Sequence, residues 1–230
     1  FNTFINTFSE ARRYPEKGDQ MQRAAEQREE IEETQKRDLD VPIEMPADRM
    51  DPNKLGFTEY DKTSVGLQLL RQEIIGPAAF DAGFKEYIRR WAYKHPTPTD
   101  FYRTMEDASG RRLDWFWREW FVEDDHFDQA VDTVLTRAQG DTNAVLVGYG
   151  NRSRGVLPLR VRLTLSDGST RDYDYPAEVW SMNSSFYVRR YDFVGKTVTK
   201  IAIDPDHRLV DDDRSNNTWT ASAQAPPPSK

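Results

Sequence analysis

The apolar residues of this chain change period at Glu123-Asp124-Asp125. Ahead of that point they recur at helical spacing, and behind it they alternate. A segment patterned for one element cannot bury its apolar side as the other, because the face that turns inward differs. The chain therefore reads as a helical array followed by an antiparallel β-sandwich.

The helical half is patterned in detail. Val65, Leu67, Leu70 and Ile74 face inward on a helix from about Asp61 to Ile75, stopped by Gly76-Pro77. Phe80, Phe84, Tyr87, Ile88 and Trp91 mark a second helix. A third follows Thr97-Pro98-Thr99-Asp100, where Thr or Asp can cap, and ends at Gly110. Leu113, Phe116, Trp117, Trp120 and Phe121 share one face of a fourth. Short turns between amphipathic helices favour antiparallel neighbours.

In the second half, Leu157, Leu159, Val161, Leu163 and Leu165 alternate with Arg160, Arg162 and Thr164, the mark of a half-buried strand. Ser166-Asp167-Gly168-Ser169 supplies a tight turn into a strand over 171–175. Further strands are expected over 130–137, 144–149, 186–191 and 198–203. This divides the chain into a helical domain over 1–123, a sandwich over 124–217 and a disordered tail over 218–230. Within the first, 17–40 reads as a charged insertion, either a solvated helix or a mobile segment. Phe1, Phe4, Ile5 and Phe8 form one stripe of a short opening helix.

Composition excludes several functions. A net charge of -7 with no Lys/Arg-rich stripe argues against nucleic-acid binding. No apolar run is long enough for a transmembrane segment. The sequence holds no Cys, so thiolate catalysis and Cys-based metal sites are out. His95, His126 and His207 stand far apart, without a His or Glu at i+4, and read as structural or exposed. The acidic run from Asp204 to Asp213 lacks the Gly and terminal Glu of a calcium loop and reads as turn formation. Trp117 and Trp120 lie on the apolar stripe and read as core, whereas Trp115 falls off it toward a domain junction.

Tyr60, in Gly56-Phe57-Thr58-Glu59-Tyr60-Asp61-Lys62-Thr63, is the residue with the clearest chemical potential. A phenol at a helix mouth suits hydrogen-bond donation to an oxyanion, because with an ordinary pKa of roughly 10 it stays a neutral donor at neutral pH. Asp61 and Lys62 read as solvated or locally paired.

Tyr60-x-Lys62, the Leu69-Leu70 helix ending at Gly76, Phe80 with Phe84 and Tyr87, Asp100-Phe101, Ser109-Gly110 and Trp117 to Trp120 stand in one order. In that order and spacing the run resembles the end of the catalytic domain in the M1 family of zinc metallopeptidases, the gluzincin aminopeptidases. The resemblance implies a thermolysin-like helical array and a following sandwich. It also implies a zinc ion held upstream by a His-Glu-x-x-His helix and a Glu ligand, with Phe1-Asn2-Thr3-Phe4 continuing that Glu-Gly segment. Tyr60 matches the family's oxyanion-stabilising tyrosine. The expected function is then peptide-bond hydrolysis by the full-length protein, with peptide as substrate and the N-terminal remainder of the same protein as partner. This chain alone, lacking metal ligands and general base, should be inactive. The alternative is a catalytically inactive scaffold or protein-interaction module of the same fold. Export to the periplasm or exterior is the family-level expectation.

Overall fold

The computed structural model describes residues 1–14, 20–37 and 41–221. The chain divides into two compact units. The first comprises Phe1–Phe127 with the loops Ser153–Pro158 and His207–Asp212; the second holds the strands.

In the first unit α1 (Asn2–Arg13) and α2 (Gln20–Gln35) precede a long helical run. That run begins at α3 (Pro52–Gly56), where Asp51 accepts the Asn53 N–H and Pro52 takes the first helical position. It continues through a π-helical turn (Phe57–Lys62), α4 (Thr63–Leu69) and a second π-helical turn (Leu70–Ile74). The helix thus starts well before the expected Asp61, because Asp51-Pro52 is the effective start signal. Every residue from Ser64 to Leu70 is buried, so this helix runs through the core rather than along it.

Gly76 at φ 84° breaks the run before α5 (Pro77–Trp91). Next comes α6 (Pro98–Ser109), opened by a Thr97/Asp100 capping box and closed by left-handed Gly110. Last is α7 (Asp114–Trp117), extended by a π-helical turn (Arg118–Val122). Leu113, Phe116, Trp117, Trp120 and Phe121 are all buried, as their stripe requires. Ile88 is not; it stands 49% exposed. Trp115 is half-buried against the helical core.

The charged stretch is less solvated than its composition suggests. On α2, Ile31 is fully buried, and Glu32 and Gln35 are buried beside it. The Glu32 carboxylate accepts the Asp211 N–H at 3.1 Å, and Gln68 donates to Gln27 at 2.6 Å. Ile31 anchors the helix through its apolar side chain, and these hydrogen bonds hold its buried polar face. The other parts of that insertion, 17–19 and 38–40, lie outside the described residues.

The second unit contains two antiparallel sheets in a sandwich-like arrangement, with strand orders β1-β2-β5 and β4-β3-β6-β7. The strands are β1 (Gln129–Gln139), β2 (Thr142–Asn151), β3 (Leu159–Leu165), β4 (Thr170–Tyr175), β5 (Phe186–Val194), β6 (Val198–Ile203) and β7 (Thr218–Thr220). Alternation in β3 is strict: Leu159, Val161, Leu163 and Leu165 are buried. Outward-facing Arg160 and Arg162 sit opposite Asp174 and Asp172 of β4 and pair with them at 2.9 and 2.7 Å. Inside, the Tyr191 hydroxyl meets those of Tyr149 (2.9 Å) and Tyr175 (3.0 Å), joining β2 and β5 of one sheet to β4 of the other. Thr218–Thr220, assigned to the tail by composition, instead pair with Lys200–Ala202 as an edge strand. The expected tail over 222–230 lies outside the described residues.

Candidate active-site wall

Tyr60 sits inside the first π-helical turn, three residues after its start, and not at a helix mouth. Its ring is 55% exposed. Lys62, two residues on, is buried to 1% exposure, and its ammonium donates to the Val41 carbonyl at 3.2 Å. The expectation of a solvated Lys62 is therefore corrected: the side chain crosses under the extended segment after α2. A buried ammonium persists only with such acceptors.

The turn is braced from its other side. The Thr63 hydroxyl donates to the Thr58 carbonyl at 3.1 Å, and the Trp120 indole N–H donates to the Lys62 carbonyl at 3.1 Å. A π-turn widens the helix and loosens its carbonyls from the regular ladder, so outside donors find them. Trp120 reaches that carbonyl because position 66 is Gly. A Cβ there would lie 2.1 Å from the indole nitrogen. Tyr60 is thereby an exposed phenol on a turn held by buried contacts.

Glu59, Thr63 and Leu67 line one side of a cleft of about 350 Å³, whose other walls include Phe1, Tyr87 and Phe101. On this helix Tyr60 directly follows Glu59. Across the cleft the Tyr102 hydroxyl donates to Glu44 at 2.5 Å while its ring stacks on Trp117 at 4.4 Å. Burial, then the Glu44 carboxylate, push the Tyr102 phenol well above its ordinary range. No local spacing announces this pairing, because Glu44 and Tyr102 lie far apart in the chain.

Another perturbed group of the unit is Glu119, on the π-turn that follows α7. Burial pushes its carboxyl up to about 7, against the Val156 N–H that it accepts at 2.9 Å.

The residues present do not make a metal centre. Among the described residues no group of three or more His, Asp and Glu side chains converges as a cation site needs. His126 is held by Asp212, at 2.6 Å from its Nδ1, and His95 is exposed. The acidic run is dispersed among cations: Asp204 pairs with Arg214 at 3.3 Å and Asp206 with Arg162 at 3.0 Å. Zinc therefore does not fit the described side chains.

Residues 2–120, more than half of the chain, match the Peptidase family M1 domain. The chain belongs to the M1 peptidase family. The match ends at Trp120, so the family segment covers the long helical run, α5, α6 and the start of the last π-turn. A comparison with curated proteins finds no match. Tyr60, Lys62, Gly66 and Trp120 all fall inside this metallopeptidase-related domain. No helix among the described residues is long and apolar enough to cross a membrane.

Proposed function

We infer that this M1 domain forms one wall of the active site of a zinc-dependent peptidase, an aminopeptidase by family resemblance. Tyr60 serves there as the hydrogen-bond donor to the oxyanion formed when a peptide carbonyl is attacked. In this reading the metal ligands and general base lie on residues outside this chain, consistent with the misfit of zinc to the side chains described. The work of this chain's own residues is positional. Asp51-Pro52 starts the helix, the π-turn presents the phenol, and Lys62 with Trp120 holds the turn still.

One observation carries the reading. Phe1 and Glu59 line the same cleft, and α1 touches the π-turn that bears Tyr60. The start of α1 therefore lies against the turn that carries Tyr60, and by the family resemblance the Glu ligand belongs to the segment entering α1. A neutral phenol fixed on a packed helix can meet developing negative charge without reorganising, and that preorganisation is the physical source of rate.

The direct test compares the full-length protein with residues 1–230 alone, measuring bound zinc and hydrolysis of amino-acid amides and short peptides. Zinc at one equivalent and hydrolysis are expected for the full-length protein, and neither for the isolated chain. Full-length protein that binds no zinc and cleaves no peptide would establish the inactive-scaffold alternative instead.

A further inference from the structure

A second pocket of the helical unit, of about 340 Å³, carries Arg28, Arg71 and Arg208 in its walls. Glu73 is the one carboxylate that lines it among the described residues. Arg28 comes from α2, Gln68 from α4, and Arg71 and Gln72 from the second π-helical turn.

The three guanidinium groups are held in place. Arg28 donates through Nε to the His207 carbonyl at 3.1 Å, and Arg208 through Nε to Glu73 at 2.9 Å. Arg71 gives Nε and Nη2 to Asp81 at 2.7 and 3.0 Å, with its guanidinium carbon 4.9 Å from the Phe8 ring centre. Its Nη1 has no hydrogen-bond partner. Such planar donors on a fixed frame match the oxygens of an oxyanion.

Acceptors without donors sit in the same wall. Gln68 is 3% exposed, and its amide NH₂ donates to Gln27 at 2.6 Å and Ser64 at 3.2 Å. Its Oε1 is buried without a partner. The half-buried Gln72 amide makes no hydrogen bond to another described residue. Native proteins rarely leave a buried acceptor unmet, and a bound group is one of the standard reasons.

A ligand that answers both needs must accept from guanidinium and donate to an amide oxygen. Carboxylate and sulfate are fully ionised near neutral pH and do only the first. Inorganic phosphate keeps a proton there, and a phosphate monoester keeps one below its second pKa of roughly 6.

We propose that this pocket binds a protonated phosphate group. Arg28, Arg71 and Arg208 hold its oxygens, and the amide oxygens of Gln68 and Gln72 accept its proton. Phosphate bound there ties α2 to the helical run that carries Tyr60. The assignment does not depend on the peptidase reading.

The test is calorimetric titration of the full-length protein with inorganic phosphate, sulfate and methyl phosphate at constant ionic strength. Phosphate is expected to bind one site with a Kd of about 1 mM or tighter, roughly tenfold ahead of sulfate. Methyl phosphate that matches phosphate at pH 5.5 and weakens at pH 8 assigns the site to monoester ligands. Its exclusion at both pH values, with phosphate still bound, assigns the site to free phosphate. Arg71→Gln should weaken phosphate by roughly tenfold or more. Gln72→Leu, at a position outside the core, should bring phosphate down to the level of sulfate and leave sulfate binding unchanged. Sulfate bound as tightly as phosphate by the wild type overturns the proposal. So does a phosphate preference that survives in both Gln72→Leu and Gln68→Leu, or no saturable binding of phosphate up to about 10 mM.

Discussion

Gly66→Ala probes the packing that holds the Tyr60 turn in place. A methyl group at this position would sit 2.1 Å from Trp120 Nε1 and 2.4 Å from its Cδ1, far inside contact distance. The indole cannot swing away freely. It is fully buried, stacked on Phe127 at 5.3 Å, with Phe116 parallel to it at 6.3 Å. Relief therefore requires a shift of α4 against the last π-turn, an overpacking cost of roughly 1–3 kcal/mol. That shift breaks the bond from Trp120 to the Lys62 carbonyl and adds about 1–3 kcal/mol for a buried donor left unpaired. Against this, Ala is favoured over Gly in a helix by about 1 kcal/mol. The balance is a loss of roughly 1–5 kcal/mol, read as a lower denaturation midpoint in urea at unchanged slope. A Trp120→Phe change removes the indole nitrogen, so the double mutant should lose less than the sum of the singles. If Gly66→Ala proves neutral or stabilising, the close approach of Trp120 does not anchor the helix.

Other outcomes follow from the same structure. Burial raises the Glu119 carboxyl from 4.5 to about 7, so the folded protein binds its proton more tightly than the unfolded chain does. Its contribution to stability is then full below pH about 4.5 and is lost as pH rises to about 7, a swing of roughly 3 kcal/mol. Glu119→Gln, which keeps an acceptor for the Val156 N–H, should gain stability over wild type at pH 8 and much less at pH 5. An equal difference at both pH values would contradict this. In the sandwich, Tyr191→Phe leaves the Tyr149 and Tyr175 hydroxyls without their shared partner, at a cost of about 2–4 kcal/mol. Tyr175→Phe, at a less buried edge of that junction, should cost less in the same denaturation experiment.

The amphipathic stripes were legible because burial obeys periodicity. Leu113 to Phe121 and Leu159 to Leu165 appear on the faces that their spacing assigns. The start of the central helix was not, since Pro52–Gly56 buries no residue and so shows no apolar stripe. Its start is set by Asp51-Pro52, a capping signal that a proline-rich stretch hid. Lys62 illustrates a different blind spot. A lysine counts as polar in any pattern, yet here a backbone carbonyl 21 residues away makes its burial tolerable. Ile31 is the converse case, an apolar residue buried on a helix that composition marks as charged. The Glu44–Tyr102 pair and the Gly66–Trp120 contact join distant segments, and no local spacing can announce such contacts. β7 escaped because three residues of Thr-Trp-Thr are too short for alternation to register.

The central claim is that Tyr60 stabilises an oxyanion, and one substitution in the full-length protein addresses it. Tyr60→Phe removes only the hydroxyl from a ring already half in solvent, so folding should be little affected. Turnover of a peptide substrate is expected to fall by roughly 10²–10³ at saturating substrate, with bound zinc and KM close to the wild type. Turnover within about twofold of wild type, at equal zinc content, would show that the phenol takes no part in the reaction.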